Sequence, residues 1–78
     1  MIPSIGRIVH YRLPEGPSAG EIRPAIITRI WDPSPTATSA VQLQVFTDGQ
    51  NDGLPNADWR TSVGQGTGLG QWSEPPRI

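Results

Sequence analysis

Ala40-Val41-Gln42-Leu43-Gln44-Val45-Phe46-Thr47 alternates apolar and amide side chains. Successive side chains of an extended backbone point to opposite faces, so Val41, Leu43 and Val45 share one face and Gln42, Gln44 and Phe46 the other. The pattern predicts a strand buried on one side and half-exposed on the other. A helix is the rival, because Ala37, Val41 and Val45 are spaced by four. The Val, Phe and Thr content favours the strand.

Working outward, the neighbouring stretches read the same way. Ala25-Ile26-Ile27-Thr28-Arg29-Ile30-Trp31 is the most hydrophobic part of the chain, opened by Pro24 and closed by Asp32-Pro33-Ser34-Pro35, and is expected to be the central strand. Ile5 to Arg12 reads as a first strand and Ala57 to Val63 as a fourth, with a short fifth around Trp72. Between the first and second strands, residues 13–20 hold two Pro and two Gly and predict a mobile, exposed connection. Asp48-Gly49 and Asp52-Gly53 are turn dipeptides that bracket a reversal. The expected architecture is therefore all-β: a small, SH3-like antiparallel barrel of four to five short strands without a substantial helix. Residues 1–73 form its single domain and residues 74–78 an extended, proline-rich tail.

Composition sets the limits. The 78 residues include 9 Gly, 9 Pro and no Cys, with 35% apolar and 17% charged side chains. A domain this small hides only about 60% of its unfolded surface. With no disulfide to compensate, self-association is the expected route to further burial. Six cations, all Arg, against seven anions give a net charge of −1, which removes the footprint of a general nucleic-acid binder. No signal peptide or membrane span is expected, since the longest apolar run is Ala25-Ile26-Ile27.

The same residues argue against most site chemistry. His10 is the only His and lies within a predicted strand, with no local pattern to make it the base of a nucleophilic set. A lone His without Cys does not make a dedicated zinc site, and Asp48, Asp52 and Asp58 do not follow a calcium loop. Gly64, Gly66, Gly68 and Gly70 resemble a phosphate cradle, yet Gln71-Trp72-Ser73-Glu74-Pro75-Pro76 follows where a helix N-terminus is required. Neither a catalytic residue nor a metal or cofactor site is expected. A minimal enzyme assembled at the centre of an oligomer is the residual catalytic reading.

Aromatics and arginines carry the remaining signal. Trp31, Trp59 and Trp72 stand at ends of predicted strands, close to Arg12, Arg29 and Arg60. Stacked aromatics beside guanidinium groups suit a flat anionic ligand such as a nucleotide, or an interface anchor. Tyr11, Arg12, Arg29, Trp31 and Trp72 are the candidate ligand- or partner-binding residues. Alternation puts Trp59 and Arg60 on opposite faces, and Trp59 is expected in the core. Arg29 and Trp31 fall in phase with Ala25 and Ile27, so that face is expected to open toward an edge or a pocket near residues 29–31.

The segments GRIVHYRLP (6–14), PAIITRIW (24–31), VQLQVFTDG (41–49) and WRTSV (59–63), with the closing G-x-W before a Pro pair (70–76), resemble a group of small proteins of tailed bacteriophages and prophages. Nearly the whole chain is covered. The group's closing segment commonly reads G-x-W-x-W-P, whereas here it is Gly70-Gln71-Trp72-Ser73-Glu74-Pro75, without the second Trp. The resemblance implies a phage origin and a compact β fold, and no reaction. Two functions are then expected to compete. One is a non-enzymatic accessory protein in the cytoplasm of the infected host, homo-oligomeric, sequestering a nucleotide-type immune signal or blocking a host protein. The other is a virion component, a head decoration or accessory protein that contacts other phage proteins.

Overall fold

The computed structural model describes residues 1–76; Arg77 and Ile78, the end of the expected tail, lie outside the described residues. Five strands form one antiparallel sheet: β1 (Ile8–Arg12), β2 (Ile22–Ile30), β3 (Val41–Phe46), β4 (Ala57–Val63) and β5 (Trp72–Ser73). Their order across the sheet is β4-β3-β2-β1-β5. The sheet curls until its ends meet. Just past β4, the Gly64 carbonyl accepts from the Trp72 amide (3.0 Å), and the Gly66 amide donates to the Trp72 carbonyl (2.8 Å). On its other side β5 pairs with β1, Tyr11 opposite Trp72. Trp72 thus joins the two edges, giving the expected all-β, barrel-like fold.

The interior is filled by alternate residues of each strand: Val9 and Tyr11, Ala25 and Ile27, Val41, Leu43 and Val45, then Val63 and Trp72, with Leu13 from the first connection. The β3 pattern fixes this. Its apolar set points inward, and its amides and Phe46 point out.

Two bulges supply the curvature that closure requires. Between β2 and β3 the register slips at Thr28, so that Ile27 faces Leu43 and Arg29 faces Gln42. Between β3 and β4, Val41 faces Val63 and Leu43 faces Arg60, and the extra residue lies at 61–62. There Ser62 adopts φ 54°, the only positive φ of a non-glycine residue among the described residues. That conformation costs an L-residue about 1–2 kcal/mol.

Arg23 lies in phase with inward-facing Ala25 and Ile27, at the end of the barrel. A charge there requires a partner. Asp52, fully enclosed within a single 3-10 turn over Gly49–Asp52, accepts from Arg23 Nε at 2.8 Å and Nη2 at 2.6 Å. Its Oδ2 also accepts the Asp48 amide at 2.7 Å. The guanidinium, with the Asp48 amide and Ser18, holds the Asp52 carboxyl well below the usual carboxylate range against the opposing cost of burial. Asp52 is therefore a structural anchor as well as a turn residue.

The 13–20 connection is exposed at Glu15, Gly16, Pro17 and Ala19, as expected, but is anchored at two buried residues. Leu13 is fully buried, and its amide and carbonyl bond Glu21 and Gly20. Ser18 is buried too and donates to the Asn51 carbonyl at 3.0 Å. Gly16 has φ +86°, and a Cβ there would sit 3.0 Å from the Asp52 carbonyl, so side-chain-free backbone lets this loop close on the 3-10 turn. No helix among the described residues is long and apolar enough to cross a membrane.

Two outcomes test this account. Replacing Ser62 by Gly removes the left-handed penalty and is expected to raise stability by about 0.5–1 kcal/mol in urea titrations, while Ser62→Val lowers it. Asp52 titrates lower folded than unfolded, so its stabilisation is complete above the unfolded pKa of about 4 and is lost as pH falls through the folded value. Asp52→Asn should therefore melt at a lower temperature at pH 7, with the gap from the parent narrowing as thermal scans are moved below about pH 4.

Candidate functional site

Because side chains occupy the barrel interior, exposed chemistry lies on its outer face and rims. The five residues singled out from sequence separate into three environments. Trp72 is fully buried, because it pairs with inward-facing Tyr11, and its indole N–H has no hydrogen-bond partner among the described residues. The ring is held by packing area, and the expectation of a binding role for Trp72 is corrected to a core role.

Tyr11 is likewise corrected. It is 3% exposed, its ring lies 6.0 Å from the Arg60 guanidinium, and burial pushes its hydroxyl above the ordinary value despite the opposing charge of Arg60. Arg12 faces outward, but its guanidinium is already engaged. Nε donates to the Thr67 carbonyl at 2.9 Å and Nη1 to the Gly20 carbonyl at 2.5 Å. It clasps the 13–20 and 64–70 loops together, a structural duty that takes up two of its five N–H donors.

Trp59 departs most from expectation. It is 56% exposed instead of buried. Cross-strand neighbours share a face, and β4 registers with Asp58 opposite Val45, Trp59 opposite Gln44 and Arg60 opposite Leu43. The inward positions of β4 are therefore Asp58 and Arg60, which meet each other (Nε to Oδ2, 2.6 Å) and Glu15 at the rim.

Arg29 and Trp31 do come together on the surface. The bulge at Thr28 turns Arg29 out of the core phase, and its guanidinium carbon lies 4.3 Å from the centroid of the Trp31 ring. The indole is 45% exposed. Among the described residues Arg29 makes no side-chain hydrogen bond or salt bridge, so its five N–H donors are open to solvent while the guanidinium rests over the ring. Gln42, opposite Arg29, accepts from Thr61 Oγ1 at 3.0 Å and adds an amide and a hydroxyl beside the stack. The adjacent carboxylate of Asp32 accepts from Ser39 Oγ at 2.6 Å. Sequence reasoning missed Gln42 and Thr61; the amide alternation of β3 was their only signal. Comparison with family models, with curated proteins and with solved structures found no match to this chain.

These assignments have a direct readout. Trp72→Ala should cost about 3–5 kcal/mol of stability, as for a fully enclosed aromatic. Trp59→Ala should cost less than about 1 kcal/mol, as for a surface side chain, both measured by chemical denaturation.

Proposed function

We propose that this chain is a non-catalytic binding protein of phage type that takes a flat, anionic, nucleotide-like ligand on the Arg29–Trp31 stack and sequesters it in the infected host cell. The observation that carries this reading is a solvent-facing guanidinium lying 4.3 Å over a half-exposed indole. A planar base stacks on such a surface, and the unused N–H groups of Arg29 match the two oxygens of a phosphate or carboxylate. Gln42 and Thr61 offer neutral donors and acceptors to a sugar or base edge. The resemblance of segments 6–14, 24–31 and 41–49 to small phage and prophage proteins supports the biological setting. Binding to one exposed stack is weak by itself, which favours a sponge that works by abundance or by presenting several sites at once.

The test is fluorescence and calorimetric titration with a panel of linear and cyclic mono- and dinucleotides. At least one should bind and quench indole emission. Trp31→Ala should weaken it by about 5- to 150-fold, the range for losing one base–aromatic stack. Arg29→Ala should weaken anionic ligands more than the neutral nucleoside, with unfolding unchanged. Absence of binding across the panel, or full affinity in Trp31→Ala, refutes the reading.

A further inference from the structure

The barrel closes at only one end of β4. Gly64 and Gly66, just past the strand, bond Trp72, whereas β4 itself pairs with β3 alone. The Thr47 amide donates to the Asn56 carbonyl at 3.1 Å, one step beyond the Phe46–Ala57 pair. Backbone groups alternate along an antiparallel ladder, so the amides and carbonyls of Asp58 and Arg60 also point to β3, while those of Ala57, Trp59 and Thr61 point away from it. Among the described residues no hydrogen bond reaches these outward-pointing groups, and the residues that carry them are exposed. Neither Pro nor Lys guards the stretch from Ala57 to Thr61.

We propose that this open strand edge is a self-association site whose occupant is the same edge of a second copy, antiparallel to it, with the two-fold axis at Trp59. Charge fixes the register. Residues directly opposite across antiparallel strands share a face, and Asp58 and Arg60 both lie on the inward face of β4. With the axis at Trp59, each Asp58 meets Arg60 of the second copy, so the contact of Asp58 with Arg60 within one chain (Nε to Oδ2, 2.6 Å) extends into a closed ring of alternating charges. An axis at Asp58 sets two aspartates against each other, and an axis at Arg60 two arginines. Such like-charge contacts are penalised. Inward-pointing charges ordinarily guard an edge against strand addition. Opposite signs two residues apart admit one register and refuse its neighbours.

The backbone accommodates that axis. Trp59 carries outward-pointing groups, so the two Trp59 residues exchange both amide-to-carbonyl bonds as a hydrogen-bonded pair, and Ala57 does the same with Thr61 of the second copy at either end. Each contact occurs twice, as an isologous interface requires. On the outer face the two indoles, each 56% exposed in the single chain, come side by side. The bulge at 61–62 and the closure at Trp72 end the open stretch, which keeps the contact short. An interface of this kind falls below about 1,200 Å² in total and gives a reversible dimer, with a dissociation constant on the order of tens of micromolar.

Sedimentation velocity over about 5–500 μM should show the parent chain passing from monomer to dimer. Asp58→Arg and Arg60→Asp each place like charges across the axis, and each alone should dimerise at least about tenfold more weakly. In an equimolar mixture of the two variants every pair across the axis again has opposite signs, so the mixture should associate more tightly than either alone. Cysteine substitution reads the register without altering a charge. The chain has no Cys, and the Cα atoms of a hydrogen-bonded pair lie about 5.5 Å apart, within disulfide reach. Trp59→Cys should therefore cross-link to itself in a glutathione redox buffer, while Ile8→Cys, at a position of similar exposure (59%) on β1, should stay monomeric. Should either charge variant lose its fold by circular dichroism, the cysteine pair decides alone. Trp31→Ala should dimerise like the parent, which keeps this result separate from the ligand-binding reading. A parent chain that stays monomeric throughout, folded charge variants that associate like the parent, a mixture no tighter than its components, or Ile8→Cys cross-linking as readily as Trp59→Cys would each overturn the proposal.

Discussion

Every other feature of the molecule depends on one side chain closing the ring. Trp72 is opposite Tyr11 on β1 and is bonded through its backbone to residues 64 and 66 beyond β4. A two-residue strand has little ladder of its own, so it is the buried indole, inside a core otherwise made of Val, Ile, Leu, Ala and Tyr, that holds the edges together. The glycine-rich segment before it belongs to the same device. The Gly68 amide donates to Gln71 Oε1 and the Gly70 amide to the Arg12 carbonyl, so these backbone donors serve closure and not an anion.

Charged residues in strand phase with the core show how the chain keeps an interior free of unpaired charge. Arg23 and Arg29 occupy equivalent positions of the β2 alternation, and the two are accommodated differently. A carboxylate from the 3-10 turn meets Arg23. A bulge carries Arg29 out of phase and delivers it to the surface. Arg60 takes a third course, remaining on the inward side of β4 where the rim supplies Asp58 and Glu15. One penalty, the burial of an unpaired guanidinium, thus shapes three separate pieces of backbone.

These differences explain what was legible in the sequence. The strands were readable because β3 alternates cleanly and because Pro, Gly and Asp-Gly mark the breaks. The pairing of Arg29 with Trp31 outside the core was readable from the penalty on a buried Arg, although it lies on the outer face of an interior strand and not at an edge, and the bulge that resolves it leaves no local mark in Thr28-Arg29. The faces of β4 were not. Alternation states that Trp59 and Arg60 point apart, but which of them points inward depends on registry with Leu43 and Gln44, a long-range quantity. Size and hydrophobicity pointed the indole inward; registry overruled them. Arg12 and Tyr11 were misplaced for a related reason, since the carbonyls of Gly20 and Thr67 that occupy Arg12 and the Trp72 that covers Tyr11 are remote in the chain.

Closure by Trp72 also sets an order of events during synthesis. β1, β2 and β3 can pair as a meander as soon as they emerge, but Tyr11 gains its final covering only when Trp72, more than fifty positions downstream, has been made. Until then the nascent chain carries an open edge at β1, with apolar side chains that the finished barrel conceals. Non-local pairing of this sort folds in about milliseconds to seconds, far slower than local turns. The interval before the last strand arrives is thus the period in which the chain is most open to strand addition by a neighbour on the same polysome.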